Sequence, residues 1–393
     1  MRRRRIAGAL VAALGIAAAL VVGWRSIGST PSEPAPQRGG LAAATAPPSP
    51  RAIRRGGGVD SLPEGSSGTS TLEADDTLWA QRLERSQQVL SSYLTSTKYP
   101  PGSRPLAEQP DQVNPHHVGP LKLPLARSDH KLTNAKVTLR QDRMYLVGDE
   151  RAALSISCDD GEGPAACEIT SAAAIVPPEV KDAGSHPSVP LNFGEGEGGS
   201  LGTLFQPSTQ GFGGYRGPIR VELTLQVAGE SGGASFDVVY TPSAPGVFTG
   251  RFQEAVRAGT LDIDVEVEIS EPGRYFIVAR ADDAEGKSFA YLAENEELRA
   301  GRQEVRLHIF GKLIRDEGAR SPFRVRDLEG FRLIEDAYPD RDLMPAREGV
   351  VYTTKTYTLR DFSDAEWESE EKGRHVKELS KDVDEAKQHV GGG

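Results

Sequence analysis

The chain has 393 residues, 37% of them hydrophobic and 26% charged, with a formal net charge of −10. The charge is unevenly spread: residues 1–55 carry nine arginines against Glu33, a net of +8, which leaves −18 on the rest. A body this acidic repels phosphate backbones and anionic headgroups, whose recognition depends on Lys and Arg, so nucleic-acid binding is excluded.

Arg2, Arg3, Arg4 and Arg5 open the chain, and an eighteen-residue apolar run, Ile6 to Gly23, comes next, closed by Trp24 and Arg25. As a helix this run covers about 27 Å, the hydrocarbon thickness of a bilayer. It is longer than the roughly 7–15-residue core of a cleaved signal peptide. The small-residue stretch that would suit cleavage, Leu41 to Ala46, lies well beyond it. Residues 1–25 are therefore expected to form an uncleaved signal anchor, with cleavage as the alternative. The positive-inside rule keeps the four arginines in the cytoplasm, places Trp24 at the interface and exports the rest of the chain. The expectation is a single-pass inner-membrane protein with a periplasmic body and the membrane as its first partner.

Residues 26–69 are rich in Pro, Gly, Ala, Ser and Thr, with isolated apolar residues. Such a segment buries too little surface to offset its ordering entropy and reads as a disordered linker. Order is expected from Ser70, where Ser70 and Glu73 make a capping box. Leu72, Trp79, Leu83, Leu90, Tyr93 and Leu94 then recur at helical spacing, which predicts an amphipathic helix over 71–96. Its stripe is expected to pack on the chain's own body, because a heptad register puts Asp76 and Ser86 on the seam. Tyr99-Pro100-Pro101-Gly102 ends the helix, and an extended connector completes segment 70–124.

Beyond that the period becomes two. Val221, Leu223, Leu225 and Val227 alternate with polar residues, as do Leu261, Ile263, Val265, Val267 and Ile269 with Asp262, Asp264, Glu266 and Glu268. This is the pattern of half-buried antiparallel strands. Turn signals at Glu271-Pro272-Gly273, Asp283 to Gly286 and Arg299-Ala300-Gly301 separate further strands. The fold class is therefore mainly β: two antiparallel sandwiches, immunoglobulin-like or jelly-roll-like, an irregular one over 125–245 and a regular one over 246–337. The break is expected at Pro242 to Gly246. The two cysteines, Cys158 and Cys167, flank a polar turn. No second pair and no nearby histidine completes a zinc set, and outside the cytoplasm the pair is expected to form a disulfide. Segment 338–393 reads as a connector and a C-terminal helix. Ser363 to Glu366 supplies a second capping box, and Phe362 with Trp367 a hydrophobic staple that places the helix start there. Val376, Leu379, Val383, Ala386 and Val390 then form a two-heptad seam, expected to dock on the body or the first helix.

The motifs that resemble catalytic signatures fail on context. Gly194 to Gly199 matches G-x-G-x-x-G, yet two glutamates sit within it and no helix is predicted after it, so it cannot cradle phosphate. Gly229-Glu230-Ser231-Gly232-Gly233 matches the nucleophile elbow but joins two strands, and Ser128 to Lys131 matches S-x-x-K without its companion motifs. The seven histidines have no chelating spacing, and His116 and His117 are adjacent in a Pro-flanked turn. Acidic turns at Asp159-Asp160-Glu162 and Asp282-Asp283-Glu285 are read as solvated charge, with calcium the alternative. No catalytic, cofactor-binding or metal residue is assigned, and no cofactor is expected. Phe205, Phe212, Tyr215, Phe276 and Phe310 are the candidates for a glycan or peptide platform, weighed against edge contacts.

The strings YPPGSRPL (Tyr99 to Leu106), EPGRYFIVARADDAEG (Glu271 to Gly286), GRQEVRLHIFGKLIRD (Gly301 to Asp316), FRVRDLEGFRLIED (Phe323 to Asp336) and YTTKTYTLRDFSDAEW (Tyr352 to Trp367) resemble uncharacterised bacterial envelope proteins of the choice-of-anchor X type. The resemblance implies an exported region on a variable anchor, with no activity and no site residues to carry over. The expected function is non-catalytic binding or scaffolding in the cell envelope, through an envelope protein or glycan partner. A carbohydrate- or peptidoglycan-binding module is the alternative, and an envelope hydrolase a third.

Overall fold

A computed structural model describes residues 69–127, 132–180 and 188–391. The expected anchor, with Arg2 to Arg5 and Trp24, lies outside the described residues, as do the linker up to residue 68, the Ser128 to Lys131 motif and His186. No helix among the described residues is long and apolar enough to cross a membrane. The described chain falls into two compact units, Tyr99–Trp367 and a helix pair from 69–98 and 368–391.

The larger unit is mainly β, as the period-two patterns predict. Its first part comprises β1 (Ser103–Pro105), β2 (Leu121–Ala126), β3 (Leu132–Gln141), β4 (Tyr145–Val147), β5 (Ala152–Asp159), β6 (Pro164–Ala165), β7 (Glu168–Ile175), β8 (Val189–Pro190), β9 (Gly194–Glu195), β10 (Leu201–Phe205), β11 (Gly217–Val227) and β12 (Glu230–Thr241). All but β1 join one sheet in the order β8-β7-β11-β12-β2-β3-β5-β10-β9, with β4 beside β12 and β6 beside β5. Every pairing is antiparallel except β4 with β12. Val221, Leu223 and Leu225 from one end of the sheet share a core with Val137, Leu154 and Phe205 from the other, so the sheet curls over on itself. The fold joins there through a single rung, Gly233 opposite Ala126.

Between Thr241 and Gly246, at the expected break, the chain leaves this core for a second one. Here β13 (Gly246–Arg257), β14 (Thr260–Ile269) and β17 (Gly301–Ile309) form a three-stranded sheet. The strands β15 (Gly273–Asp282), β16 (Ser288–Leu298), β18 (Arg324–Leu333), β19 (Arg341–Leu343) and β20 (Arg347–Thr353) form the other sheet, with β1 at its edge beside β16. Leu261, Ile263, Val265, Val267 and Ile269 of β14 share this core with Tyr275, Ile277, Ala279 and Ala281 of β15. Burial of each such side chain stabilises the fold by about 1.5–3 kcal/mol. Two segments read from sequence as connectors contribute strands: β1 and the first four residues of β2 come from 70–124, and β19 and β20 from beyond residue 337.

The C-terminal helix begins later than its capping signals predict. The short helix α2 (Gly311–Asp316) packs in the core, but 363–366 is not helical, and the next α-helix is Glu370–Gly391. The reason is tertiary. Phe362 is buried against Phe323 and Tyr357, and the Ser363 amide donates to the Gly259 carbonyl at 3.0 Å instead of entering a helix. Gly259 and Gly311 permit that crossing, since a Cβ on Gly259 would stand 2.5 Å from the Ser363 nitrogen and one on Gly311 2.0 Å from the Gly259 carbonyl oxygen.

The smaller unit pairs α1 (Thr69–Ser96) with α3 (Glu370–Gly391). Trp79 stacks on His389 at 3.8 Å, Arg82 reaches Glu385 at 3.5 Å, and Tyr93 lies against His375, so the helices run antiparallel. The less exposed positions, Trp79, Leu83, Ser86, Leu90 and Tyr93, are spaced by four and three, as are Lys372, Val376, Leu379, Val383 and Ala386 opposite. That is a coiled-coil seam closed within one chain, with Ser86 on it.

Candidate functional site

The acid and base groups singled out in sequence are held in structural roles. Asp160 accepts the Glu162 and Gly163 amides, and Asp159 accepts the Gly161 amide at 2.8 Å, a bond that holds its carboxyl below the usual range. Asp282 takes Arg326 through both oxygens at 2.9 and 3.0 Å, Asp283 accepts the Glu285 and Lys287 amides, and Glu285 pairs with Arg320. On β14 the buried Asp262 and Asp264 face Arg257, Arg306 and His308, with contacts down to 2.6 Å. The predicted polar face of that strand is thus a ladder of acids between flanking bases. Groups that could hold a metal ion do not occur among the described residues.

The motif residues separate likewise. Gly194 and Glu195 form β9, and Glu197–Gly199 is one turn of 3-10 helix with no phosphate cradle. The elbow motif is a two-residue hairpin turn, in which Ala228 and Gly229 adopt φ of 49° and 84°. Ser231 is exposed within β12, and the motif's last glycine, Gly233, forms the sheet's joining rung. The expected disulfide between Cys158 and Cys167 is present and spans a sequence separation of 9.

The aromatic platform is not assembled. Phe205 and Phe212 are buried edge to face, Tyr215 donates its hydroxyl to the Pro218 carbonyl, and Phe276 is buried against Phe331. Phe310 packs against the second core. Alternation along a strand does not reveal what covers its outer face, and here the outer face of β15 is itself covered.

An open cleft of about 500 Å³ lies instead between β13 and β20, with Phe248, Phe252, Leu328, Ala346 and Val351 on its apolar side and Arg143, Arg347 and Glu348 on its polar side. The floor is rigid. Phe248 and Leu328 belong to the second core, and Phe252 stacks on Tyr352 at 5.0 Å. Burial and the neighbouring Glu254 carboxylate push the Tyr352 hydroxyl up to about 12. The β13 bulge at Thr249 to Arg251, with Gly250 at φ 83°, leaves the mouth open. Arg143 comes from the β3–β4 turn, which is pinned by the bond from Gln141 Nε2 to the Asp237 carbonyl and by that from the Val239 amide to the Met144 carbonyl.

The cations there are incompletely matched. Arg347 donates to the Phe248 carbonyl at 2.9 Å, a neutral acceptor. Arg143 stands 3.6 Å from Glu348 and 3.9 Å from Asp142, beyond hydrogen-bond length, and its Nε is buried without a hydrogen-bond partner among the described residues. Arg220, Arg306 and Arg326 each reach a carboxylate within 3.0 Å, while Arg332 reaches Asp342 at 2.8 Å and, like Arg143, keeps a buried Nε without a bond among the described residues. Sequence reasoning passed over Arg143 and Arg347 because they lie far apart along the chain in unremarkable turns, and no local pattern signals their convergence.

No family model matches this chain, and no curated protein matches it. Among solved structures it is similar to a DUF4785 family protein from Legionella pneumophila, at 12% identity and a TM-score of 0.38, over 59% of each chain. It is also similar to the adhesin InvE of Yersinia pseudotuberculosis, at 12% identity and a TM-score of 0.17, over 57% of this chain and 59% of that one. The third is dimeric latent PorU from Porphyromonas gingivalis, at 11% identity and a TM-score of 0.17, over 61% of this chain and 21% of that one. The chain thus spans less than two thirds of the length of each, and likenesses this distant carry no functional argument.

Proposed function

We propose that this protein is a membrane-anchored, extracytoplasmic binding protein of the bacterial cell envelope that acts without catalysis, its body built as two sandwich-like β modules. The chemistry of the β13–β20 cleft carries this reading. Its polar groups are two guanidiniums and one carboxylate, and a guanidinium keeps its charge throughout the pH range of a folded protein, so the cleft is equipped to recognise a ligand rather than to move protons. The disulfide in a chain with no other cysteine supports an oxidising compartment, and the arginine-flanked apolar run supports attachment from the cytoplasmic membrane outwards. The segmental resemblance to choice-of-anchor X proteins agrees with both.

In-cell crosslinking of the full chain, with identification of covalent partners, tests the binding role. Recovery of a recurrent envelope partner is expected; finding none above an uncrosslinked control, together with turnover on a hydrolase panel, overturns the reading. The mass of the mature chain tests the anchor, and loss of the first forty-odd residues would refute it.

A further inference from the structure

We infer that the cleft between β13 and β20 receives an extended peptide segment of a partner protein, one that presents a carboxylate beside an apolar side chain. This rests on the binding role proposed above and assigns its ligand class. Neither Arg143 nor Arg347 holds a hydrogen-bonded carboxylate among the described residues: Arg347 donates to the Phe248 carbonyl, and Arg143, whose Nε is buried and unbonded, stands 3.6 Å from Glu348 and 3.9 Å from Asp142. Guanidiniums lining one cleft match a planar carboxylate through charge-assisted bonds, each stronger than its neutral counterpart. The apolar floor of Phe248, Phe252 and Val351 takes the adjoining side chain.

The choice of a peptide over a polyanion rests on charge and backbone. A phosphate-rich surface or nucleic acid would meet the acidic body as a whole, whereas a single carboxylate meets only the rim. The walls are edge strands. Among the described residues β13 pairs only with β14, and β20 only with β18. Such edges offer main-chain groups to an incoming extended segment, and side-chain pockets beside them supply selectivity. Glu348, exposed and within 3.6 Å of Arg143, occupies the place the incoming carboxylate would take and acts as a weak internal competitor.

The test uses the full chain in detergent and one probe pair: the tripeptide N-acetyl-Ala-Val-Phe with a free carboxyl terminus and the same peptide as its amide, titrated by calorimetry. The free acid is expected to bind saturably and the amide about tenfold more weakly. Arg143→Ala and Arg347→Ala should each weaken the acid about tenfold while leaving the amide unchanged, and Glu348→Ala should tighten the acid by about two- to fivefold. Thermal denaturation of each variant checks that it folds. Equal binding of acid and amide, no saturation by the acid, or an unchanged titration in the Arg143→Ala/Arg347→Ala double variant would overturn the assignment. If crosslinking still recovers a partner in that case, the binding role stands and only the cleft is wrong; if it recovers none and the hydrolase panel shows turnover, the role itself falls.

Discussion

Arg280 and Glu329 form an ion pair in which the guanidinium has no solvent exposure while the carboxylate keeps 21% of its side chain accessible. The pair sits on the face of the six-stranded sheet that points away from the second core. Arg280 also donates to the Gln112 carbonyl at 3.0 Å, to the Gln112 side chain and to the Asp327 carbonyl at 2.9 Å, and its guanidinium lies 5.8 Å from the Tyr291 ring. Fully buried, this side chain is the pin that holds the 106–117 segment over the sheet. Removing one partner of a buried pair leaves the other polar groups desolvated and unpaired.

Arg280→Ala is accordingly expected to destabilise the β unit by about 3–5 kcal/mol. Urea unfolding measures the loss, and limited proteolysis should show new cleavage within residues 106–117. Arg280→Lys should recover little, because an ammonium cannot span Gln112, Asp327 and Glu329 together.

The disulfide closes a short loop between β5 and the start of β7. Replacing Cys158 and Cys167 together by serine should cost about 2–3 kcal/mol in the chain-entropy account. Comparing denaturation midpoints of the oxidised, reduced and double-serine chains checks this; equal midpoints would show that the bond adds nothing to folding.

Gly232→Ala probes the rung that closes the curled sheet. A Cβ there would stand 2.5 Å from the Ala126 carbonyl oxygen and 2.6 Å from Leu125 Cγ. Backbone cannot yield as a side chain can, so overpacking of about 1–3 kcal/mol is expected. Gly229→Ala meets no atom within 4 Å, and its cost should come from φ alone. The stability difference between the two variants separates crowding from backbone strain.

High pH should weaken the second core. Burial pushes the Tyr275 hydroxyl up to about 12, and its bonds to the Pro245 and Glu271 carbonyls, at 2.9 and 2.5 Å, both require the proton. Tyr352 is raised to about 12 as well. A folded-state value above the unfolded value of about 10 means that the contribution is fully present below pH 10 and is lost as pH rises from 10 towards 12. Absorbance titration of tyrosinate, tracked alongside unfolding, should show a late-ionising group lost in Tyr275→Phe. Full ionisation of all tyrosines near pH 10 in the folded chain would contradict this.

The sequence by itself determined what short-range periodicity and chemistry encode. The alternation at Leu261 to Ile269 specified β14 to within a residue, the glycines and prolines marked the turns, and the cysteine pair specified the bond that forms. The four-and-three spacing of Val376 to Ala386 likewise specified a helical seam. Tertiary structure decided what lies over each element. Ser363 and Glu366 carry a sound capping signal, yet burial of Phe362 and the crossing at Gly259 take that backbone elsewhere, because a core contact and a hydrogen bond to another strand outweigh a cap worth about 1 kcal/mol. Arg280 is buried because the 106–117 segment is laid upon it. Arg143 and Arg347, about two hundred residues apart, share a cleft only because β13 and β20 border it while the β3–β4 turn of the first module reaches across to its rim. Covering, crossing and convergence are long-range relations, and no local pattern of residue types carries them.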